Sequence, residues 1–406
     1  MRMEQLTDQK AIDYLTHLGQ FGRLENGGVT RFVYDDAWIA AMNHVLRDAR
    51  TRGMAASVDS YGNGFMTYQG KTADQVVAAG SHIDTVNQGG LYDGAYGVTA
   101  AVLAMSSLVA EFGQPKKTMT AVAFSEEEGS RFPTSFSGSK HYAGVTETAA
   151  DLQDHQGMTF GQARQSAVSQ LAKTWPVIEQ PLPIEFLELH IEQGPILEEK
   201  GLSVGIVSAI CEQKRFTVTV RGQTNHAGTT PQHLRRDALK AAAKLICDLD
   251  EAAGKIGEPL VFTVGELTVQ PGSSNVIPGL VKFSVDVRHP DKQIVDQFEA
   301  LLRKKASQTP KVTVQVDRWL DSRPAIMDAR LKHQFEQLIA KRGLAYMTLP
   351  SGAGHDTQIM NLKVPTAMLF VPSRNGISHS PKEYTAPADL ETGITILKAQ
   401  LYQECY

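Results

Sequence analysis

The sequence predicts an α/β fold in two parts: a domain on a mostly parallel sheet, and a ferredoxin-like α+β domain inserted into it. Three features predict it. In the first half, short apolar runs alternate with helical stretches, as in a sheet covered by helices on both faces. From Phe216 the residues alternate apolar and polar, the mark of half-exposed strands. Near residue 330 the first rhythm returns.

Taken in order, Ile12, Leu15 and Leu18 recur at three-residue spacing and predict a helix over 11–19. Glu25-Asn-Gly-Gly28 breaks that pattern. A second amphipathic helix is expected over 38–53. Val76–Gly80 is apolar and ends in small residues, as a buried parallel strand does. A helix over 98–112 follows, then strands over 119–124 and 186–189. After Phe216–Arg221 come an Ala/Leu-rich helix over 235–253, strands over 261–269 and 280–288, a helix over 292–305 and a strand over 312–316. This β-α-β-β-α-β order is the ferredoxin-like pattern and sets the inserted domain at 212–329. Residues 1–211 and 330–406 form the other domain, with a helix over 331–342 and a strand over 366–371. No internal repeat or low-complexity tract is present.

Composition narrows the function. The chain has 406 residues, 21% charged and 42% hydrophobic, enough for an ordinary core. A net charge of -4 gives no reason to expect nucleic acid or an anionic membrane. The first ten residues contain no apolar stretch, so a secretion signal is not expected. No uninterrupted apolar run reaches the roughly 18 residues of a membrane span. Cys211, Cys247 and Cys405 are few, odd in number and unevenly spaced, which fits neither a disulfide framework nor a thiolate metal site. A reducing cytoplasm is the expected setting.

The chemistry gathers in short polar clusters that follow apolar strands, where ligands collect in open α/β sheets. Gly80–Val86 carries His82 and Asp84. Gly89–Gly97 carries Asp93 in a glycine-rich loop. Phe124–Arg131 carries Glu126, Glu127 and Glu128. Glu188–Gly194 carries His190 and Gln193, and Asn375–Pro381 carries His379. Each alone has an ordinary reading: a packed or exposed His, an Asp in a turn, a solvated acidic turn. Together they offer imidazoles and carboxylates of the kind zinc accepts, with Mn, Co or Ni as substitutes. A two-metal centre needs a bridging acid and separate end ligands. The absence of a Gly-x-Ser-x-Gly elbow, a Walker loop and a dinucleotide fingerprint weakens serine-hydrolase and nucleotide readings.

With Asn225–Pro231 and Ser351–Asp356 added, these motifs resemble the metal-dependent aminoacylase/carboxypeptidase superfamily, in its hydantoinase/carbamoylase branch. The likeness runs from Gly27–Arg31 to Ser378–Pro381. It implies a metal-binding catalytic domain at 1–211 and 330–406, and a lid and dimerisation domain at 212–329. It implies two divalent cations per subunit, Zn or Mn: His82 and His190 on one, Glu128 and His379 on the other, Asp93 shared. Glu127 would be the general base and Asp84 would orient His82. His226 would reach the other subunit's site in a homodimer and stabilise an oxyanion. Gln193, Arg215, Asn275, Arg288, Gly354 and His355 would contact substrate, Arg288 through a carboxylate. Lys214 is a further donor or a solvated strand charge. The implied reaction is cleavage of a ureido C–N bond in a small carboxylate. Allantoate is favoured, and N-carbamoyl-L-amino acids or N-carbamoyl-β-alanine are the alternatives.

Overall fold

The computed structural model describes residues 10–406. The N-terminal stretch read above for a secretion signal lies outside them, apart from Lys10. By compactness the chain divides into two units. One holds the described residues up to Ser208 with Met327–Leu349 and Gly354–Tyr406; the other holds Ala209–Ile326 with Pro350–Ala353.

The first unit begins with helices α1 (Ala11–Leu18) and α2 (Asp36–Thr51), the latter capped by Asp35, whose side chain accepts from the Trp38 amide. Strands β1 (Ala55–Val58) and β2 (Gly64–Tyr68) form a hairpin. Strand β3 (Thr72–His82), helix α3 (Ala95–Phe112) and strand β4 (Lys117–Phe124) follow. Then come α4 (Ser137–Tyr142), α5 (Phe160–Leu171), β5 (Glu185–Ile191), α6 (Ile196–Lys200) and β6 (Gly205–Ile210).

The second unit contains β7 (Glu212–Arg221), β8 (Asn225–His226), α7 (Ala238–Ile256), β9 (Val261–Thr263), β10 (Leu267–Gln270) and β11 (Val276–Ile277). It continues with β12 (Leu280–His289), α8 (Lys292–Ser307), β13 (Thr313–Ser322) and β14 (Ala325–Ile326). The chain closes with α9 (Ala329–Ala340), β15 (Met347–Ser351), α10 (Asp356–Met360), β16 (Thr366–Val371) and α11 (Pro387–Cys405).

The sheet of the first unit runs β1-β2-β4-β3-β5-β16-β6. Its centre, β4-β3-β5-β16, is parallel. Its flanks are antiparallel, at β1/β2, β2/β4 and β16/β6. The expectation of a mostly parallel sheet therefore holds only for the centre. The β1–β2 hairpin adds one antiparallel edge, since a tight turn cannot make a parallel crossover, and β6 adds the other by pairing with the distant β16.

Helix α3 is long and apolar enough to cross a membrane by length and composition, yet 72% of it is buried inside the protein. It is the core helix, packed with α11 and the sheet. Gly97 permits that approach: a Cβ there would lie 2.6 Å from the Leu189 carbonyl oxygen and 2.7 Å from Ser81 Cβ.

In the second unit, β10-β12-β7-β13 is antiparallel throughout, with β9 also on β12. Phe216, Val218, Phe283 and Val285 pack with Leu245 and Leu249 of α7 and Phe298 and Leu302 of α8. The strand expected over 261–269 is two strands. The Gly265 and Glu266 amides turn onto Ser284 Oγ at 3.1 and 2.9 Å and interrupt the ladder. Arg235 and Arg236 precede the long helix rather than start it, since Asp237 caps it by accepting from Leu239 and Lys240. The three cysteines are free, Cys211 and Cys405 buried and Cys247 exposed.

Gly80 tests the sheet's central contact. A Cβ there would stand 2.0 Å from the Val122 carbonyl oxygen, a backbone atom that cannot step aside. Gly80→Ala should lower stability by about 2–3 kcal/mol, read as the urea midpoint. An unshifted midpoint would contradict the packing described.

Candidate metal centre

Each of the four parallel strands delivers its chemistry from its C-terminal end. His82 closes β3, the acidic turn Glu126–Glu128 follows β4, His190 is next to last on β5, and His379 lies in the loop after β16. Asp93 sits immediately before Gly94, the N-cap of the 18-residue α3, where the helix dipole favours a negative charge. Gly94 has φ +61°, and a Cβ on it would lie 2.4 Å from the His82 ring. Arg31, from Gly27–Arg31, braces the turn after His82: its Nε donates to the Ile83 carbonyl at 2.6 Å and its Nη1 to those of Leu18 and Phe21.

Asp93 is the hub. Its Oδ1 lies 3.6 Å from His82 Nε2 and 3.3 Å from His190 Nε2. Its Oδ2 lies 3.2 Å from His379 Nε2, which is also 3.5 Å from Glu128 Oε2. One carboxylate thus turns each oxygen toward a different set of donors. Both inner rings are oriented by main chain: His82 Nδ1 is 3.1 Å from the Asp84 carbonyl, and His190 Nδ1 is 2.9 Å from that of Ile191. Nε2 of each is thereby turned to Asp93. Glu127 Oε2 lies 3.6 Å from His82 Nε2.

Asp84 does more than face His82. Its carboxylate accepts from the Glu127 amide at 3.1 Å and the Glu128 amide at 3.1 Å, which pins the acidic turn. Its Oδ1 also lies 3.5 Å from His82 Nδ1. Glu188 is tied by Ser81 Oγ at 2.6 Å and by Thr357 N and Oγ1 at 3.1 and 2.6 Å. Glu192 accepts from Ile196 and Leu197, capping α6. Glu126, Gln193 and His379 have left-handed backbone although none is glycine. Such strain collects where a site over-determines its geometry.

The electrostatics ask for positive charge. Burial pushes Glu127 and Glu126 well above the carboxylate range. Burial, then the Asp93 charge, pushes Glu128 up to about 8. Burial and Glu188 push Asp356 up to about 8. Burial would raise Asp93 too, but hydrogen bonds with His190, His379 and His82 hold it well below its usual range. Burial opposes the charge on His82, yet Glu127, Asp84 and Asp93 raise it well above its ordinary value. Glu128 Oε1 is buried without a hydrogen-bond partner. A buried excess of acids aimed at imidazoles fits divalent cations. Asp93 shares in two donor groups, His82/Asp93/His190 and Asp93/Glu128/His379, and His82/Glu127/Glu128 forms another beside them.

Gln193, expected to contact substrate, donates from Nε2 to Asp93 Oδ2 at 2.8 Å. His355 is 1% exposed and packs edge-on to His190, ring centroids 4.6 Å apart, while Gly354 beside it is exposed. Burial and His190 hold His355 well below the ordinary histidine value.

The remaining candidates lie in the second unit. Arg215 and Arg288 share Asp286: Arg288 Nε and Nη2 donate at 2.9 Å each and Arg215 Nε at 2.8 Å. His226 lies in β8, opposite Val276, and Asn275 just precedes β11; both are exposed. His226 Nδ1 accepts from Gly228 and Thr229 at 2.9 and 3.3 Å, so its ring proton sits on Nε2. Lys214 is not an available donor. It is 2% exposed and bonds Glu299 at 3.0 Å and also Asp296, on the sheet face opposite Arg215.

Sequence reasoning missed Glu383, Ser378, Asp356 and Asp286. Asp286 had a signal, since it alternates with Arg288 on one strand and shares its face. Glu383 had none, because it acts on backbone amides far away in sequence.

The chain matches the model of peptidase family M20/M25/M40 over residues 78–403. It is 39% identical to the allantoate amidohydrolase of Bacillus subtilis, covering 100% of both chains. It is 34% identical to the N-carbamoyl-L-amino acid amidohydrolase of Geobacillus stearothermophilus, covering 96% of each. A crystal structure of an amidase of the hydantoinase/carbamoylase family from Burkholderia multivorans superposes with a TM-score of 0.91 at 32% identity. It covers 97% of this chain and 96% of the other.

A cation entering this cage displaces protons. Glu128, raised to about 8, holds its proton below that pH and must lose it to become a ligand. Affinity for Zn or Mn should therefore rise with pH between roughly 6 and 9. Calorimetry in two buffers of different ionisation heat should show proton release. Uptake with no proton released would contradict the electrostatics described.

Proposed function

The chain belongs to peptidase family M20/M25/M40, on its hydantoinase/carbamoylase side, and from that premise we propose that it hydrolyses a ureido C–N bond of allantoate. The products are ureidoglycine, ammonia and carbon dioxide. The observation that carries the reading is Asp93, whose two oxygens each face a separate donor set within 3.6 Å.

In this reading His82 and His190 would hold one cation and Glu128 and His379 the other, with Asp93 as the carboxylate common to both sets. Zn and Mn suit the donors, and Co or Ni are acceptable. Bound there, the pair supplies Lewis acidity and a water of lowered pKa. The chain does the rest. Glu127 takes a proton from the attacking water and returns it to the leaving nitrogen. Asp84 keeps that base in place through its amide. His226, from the other subunit of a homodimer, donates Nε2–H to the carbonyl oxygen as negative charge develops. Arg288 and Arg215 meet the substrate carboxylate, Asn275 and Gln193 the ureido groups, and Gly354 and His355 line the pocket. The unit read as 212–329 is the lid and dimerisation domain, and the setting is cytoplasmic.

Allantoate is favoured by the higher identity to its amidohydrolase and by the supply of polar side chains for two ureido arms. N-carbamoyl-L-amino acids are the second reading, favoured by the 34% identity to an enzyme of that name; N-carbamoyl-β-alanine completes the group.

Ammonia release should be fastest with allantoate when it is compared with several N-carbamoyl-L-amino acids and N-carbamoyl-β-alanine on Zn- or Mn-loaded protein. A faster carbamoyl substrate would replace allantoate. Glu127→Gln should lower kcat by about 10²–10⁴-fold and leave cation binding intact; unchanged turnover removes the proposed base. Arg288→Ala should raise KM by about 10–100-fold, the loss of a charge-assisted pair, and an unchanged KM would take Arg288 out of the substrate site.

A further inference from the structure

We infer that Glu383 fixes the shared carboxylate Asp93 in its divided orientation and is a positioning residue for cation binding. The inference rests on the metal-centre reading above. Glu383 lies four residues after His379 and is 6% exposed. Its Oε1 accepts the amides of Tyr92 and Asp93 at 2.8 and 3.1 Å. Its Oε2 lies 2.9 Å from Ser378 Oγ, which is itself 3.0 Å from Asp93 Oδ2. Glu383 thus grips Asp93 twice: directly at the main chain, and through Ser378 at the carboxylate.

The two grips join the loop carrying Asp93 to the loop carrying His379. At the carboxylate the anchoring falls on one oxygen. Oδ2 receives Ser378 Oγ and Gln193 Nε2, while the ring nitrogens of His82 and His190 face Oδ1. Anchoring Oδ2 stops the carboxylate from rotating, so Oδ1 stays between the two inner imidazoles. Outer groups of this kind set ligand orientation at metal centres.

The surroundings are cut to admit this contact. A Cβ on Gly90 would stand 2.1 Å from Glu383 Oε1. Gly90 therefore clears the path by which the carboxylate reaches the two amides. A hydroxyl has one proton, and Ser378 faces two carboxylates. Glu383→Gln keeps an oxygen for the amides and brings its own N–H for Ser378, so it preserves every contact. Glu383→Ala removes them all.

The test uses the full-length protein, stripped with a chelator and titrated calorimetrically with Zn or Mn alone, with kcat and KM measured after loading. Glu383→Ala should bind cation about 10–100-fold more weakly, and Glu383→Gln should bind like the parent. Gly90→Ala should follow Glu383→Ala, although it alters no ligand. If Glu383→Ala does not fold, Ser378→Ala, which removes only the carboxylate grip, decides by the same weakening. A folded Glu383→Ala or Ser378→Ala protein with the parent's cation affinity would overturn the inference, as would a Glu383→Gln loss equal to that of Glu383→Ala. A parent that binds no cation would sink the metal-centre reading as well; a parent that binds two, with unaffected variants, would sink only the positioning role.

Discussion

The structure turns on the convergence of like charges in a buried place. Asp84, Asp93, Glu126, Glu127, Glu188 and Asp356 are all buried in the first unit, with Glu128 at their edge. A buried carboxylate is costly unless hydrogen bonds or opposite charge compensate it. The fold compensates selectively. Asp84 and Glu188 are met by amides and hydroxyls, so they brace the turns that carry the ligands. Asp93 is met by imidazoles and by the start of α3. Glu127 and Glu128 receive less, and both are held above the ordinary carboxylate range. Protein groups satisfy Asp84 and Glu188, which brace the turns, and leave Glu127 and Glu128 short of the positive charge that an outside cation would bring.

That division explains the local backbone. Sites that need side chains at fixed angles accept strained main chain, of order 1–3 kcal/mol per residue. Glu126, Gln193 and His379, all left-handed, stand in the turns after three different strands. Gly94 and Gly97 solve the complementary problem of space, one beneath the His82 ring and one against β3 and β5. The dense packing of α3 is therefore part of the site, because it fixes where Asp93 emerges.

Much of this was legible in the sequence. The central strands announced themselves as apolar runs, and each candidate ligand followed such a run directly or stood in a glycine-rich loop. What stayed hidden acts through tertiary contacts. β1, β2 and β6 are only 4, 5 and 6 residues long, too short for a period to show at the antiparallel flanks. Residues 264–266 read as strand, but Ser284 captures their amides. Lys214 read as a donor or a solvated strand charge, because alternation alone does not say which sheet face meets helices. Glu383 binds amides 290 and 291 residues away in sequence, beyond the reach of any spacing rule.

Charge balance also bears on selectivity. Gln213, Arg215 and Arg288 converge on Asp286, whose Oδ2 receives all three. Two guanidiniums and one carboxylate leave a single net positive charge. If the proposed substrate carboxylate binds there, it would balance that charge, and Asp286 would keep the guanidiniums ordered beforehand, which would lower the entropy lost on binding. Allantoate and an N-carbamoyl amino acid with an uncharged side chain are both monocarboxylates, so this charge cannot tell them apart. Discrimination must come from neutral groups that a second ureido arm would satisfy and an apolar side chain would leave unpaired. A buried polar group left without its partner costs about 1–3 kcal/mol, enough for roughly a 5- to 150-fold preference. Under the proposed function, substrate choice would lie with neutral hydrogen-bonding groups, and the arginines would supply affinity common to the whole substrate class.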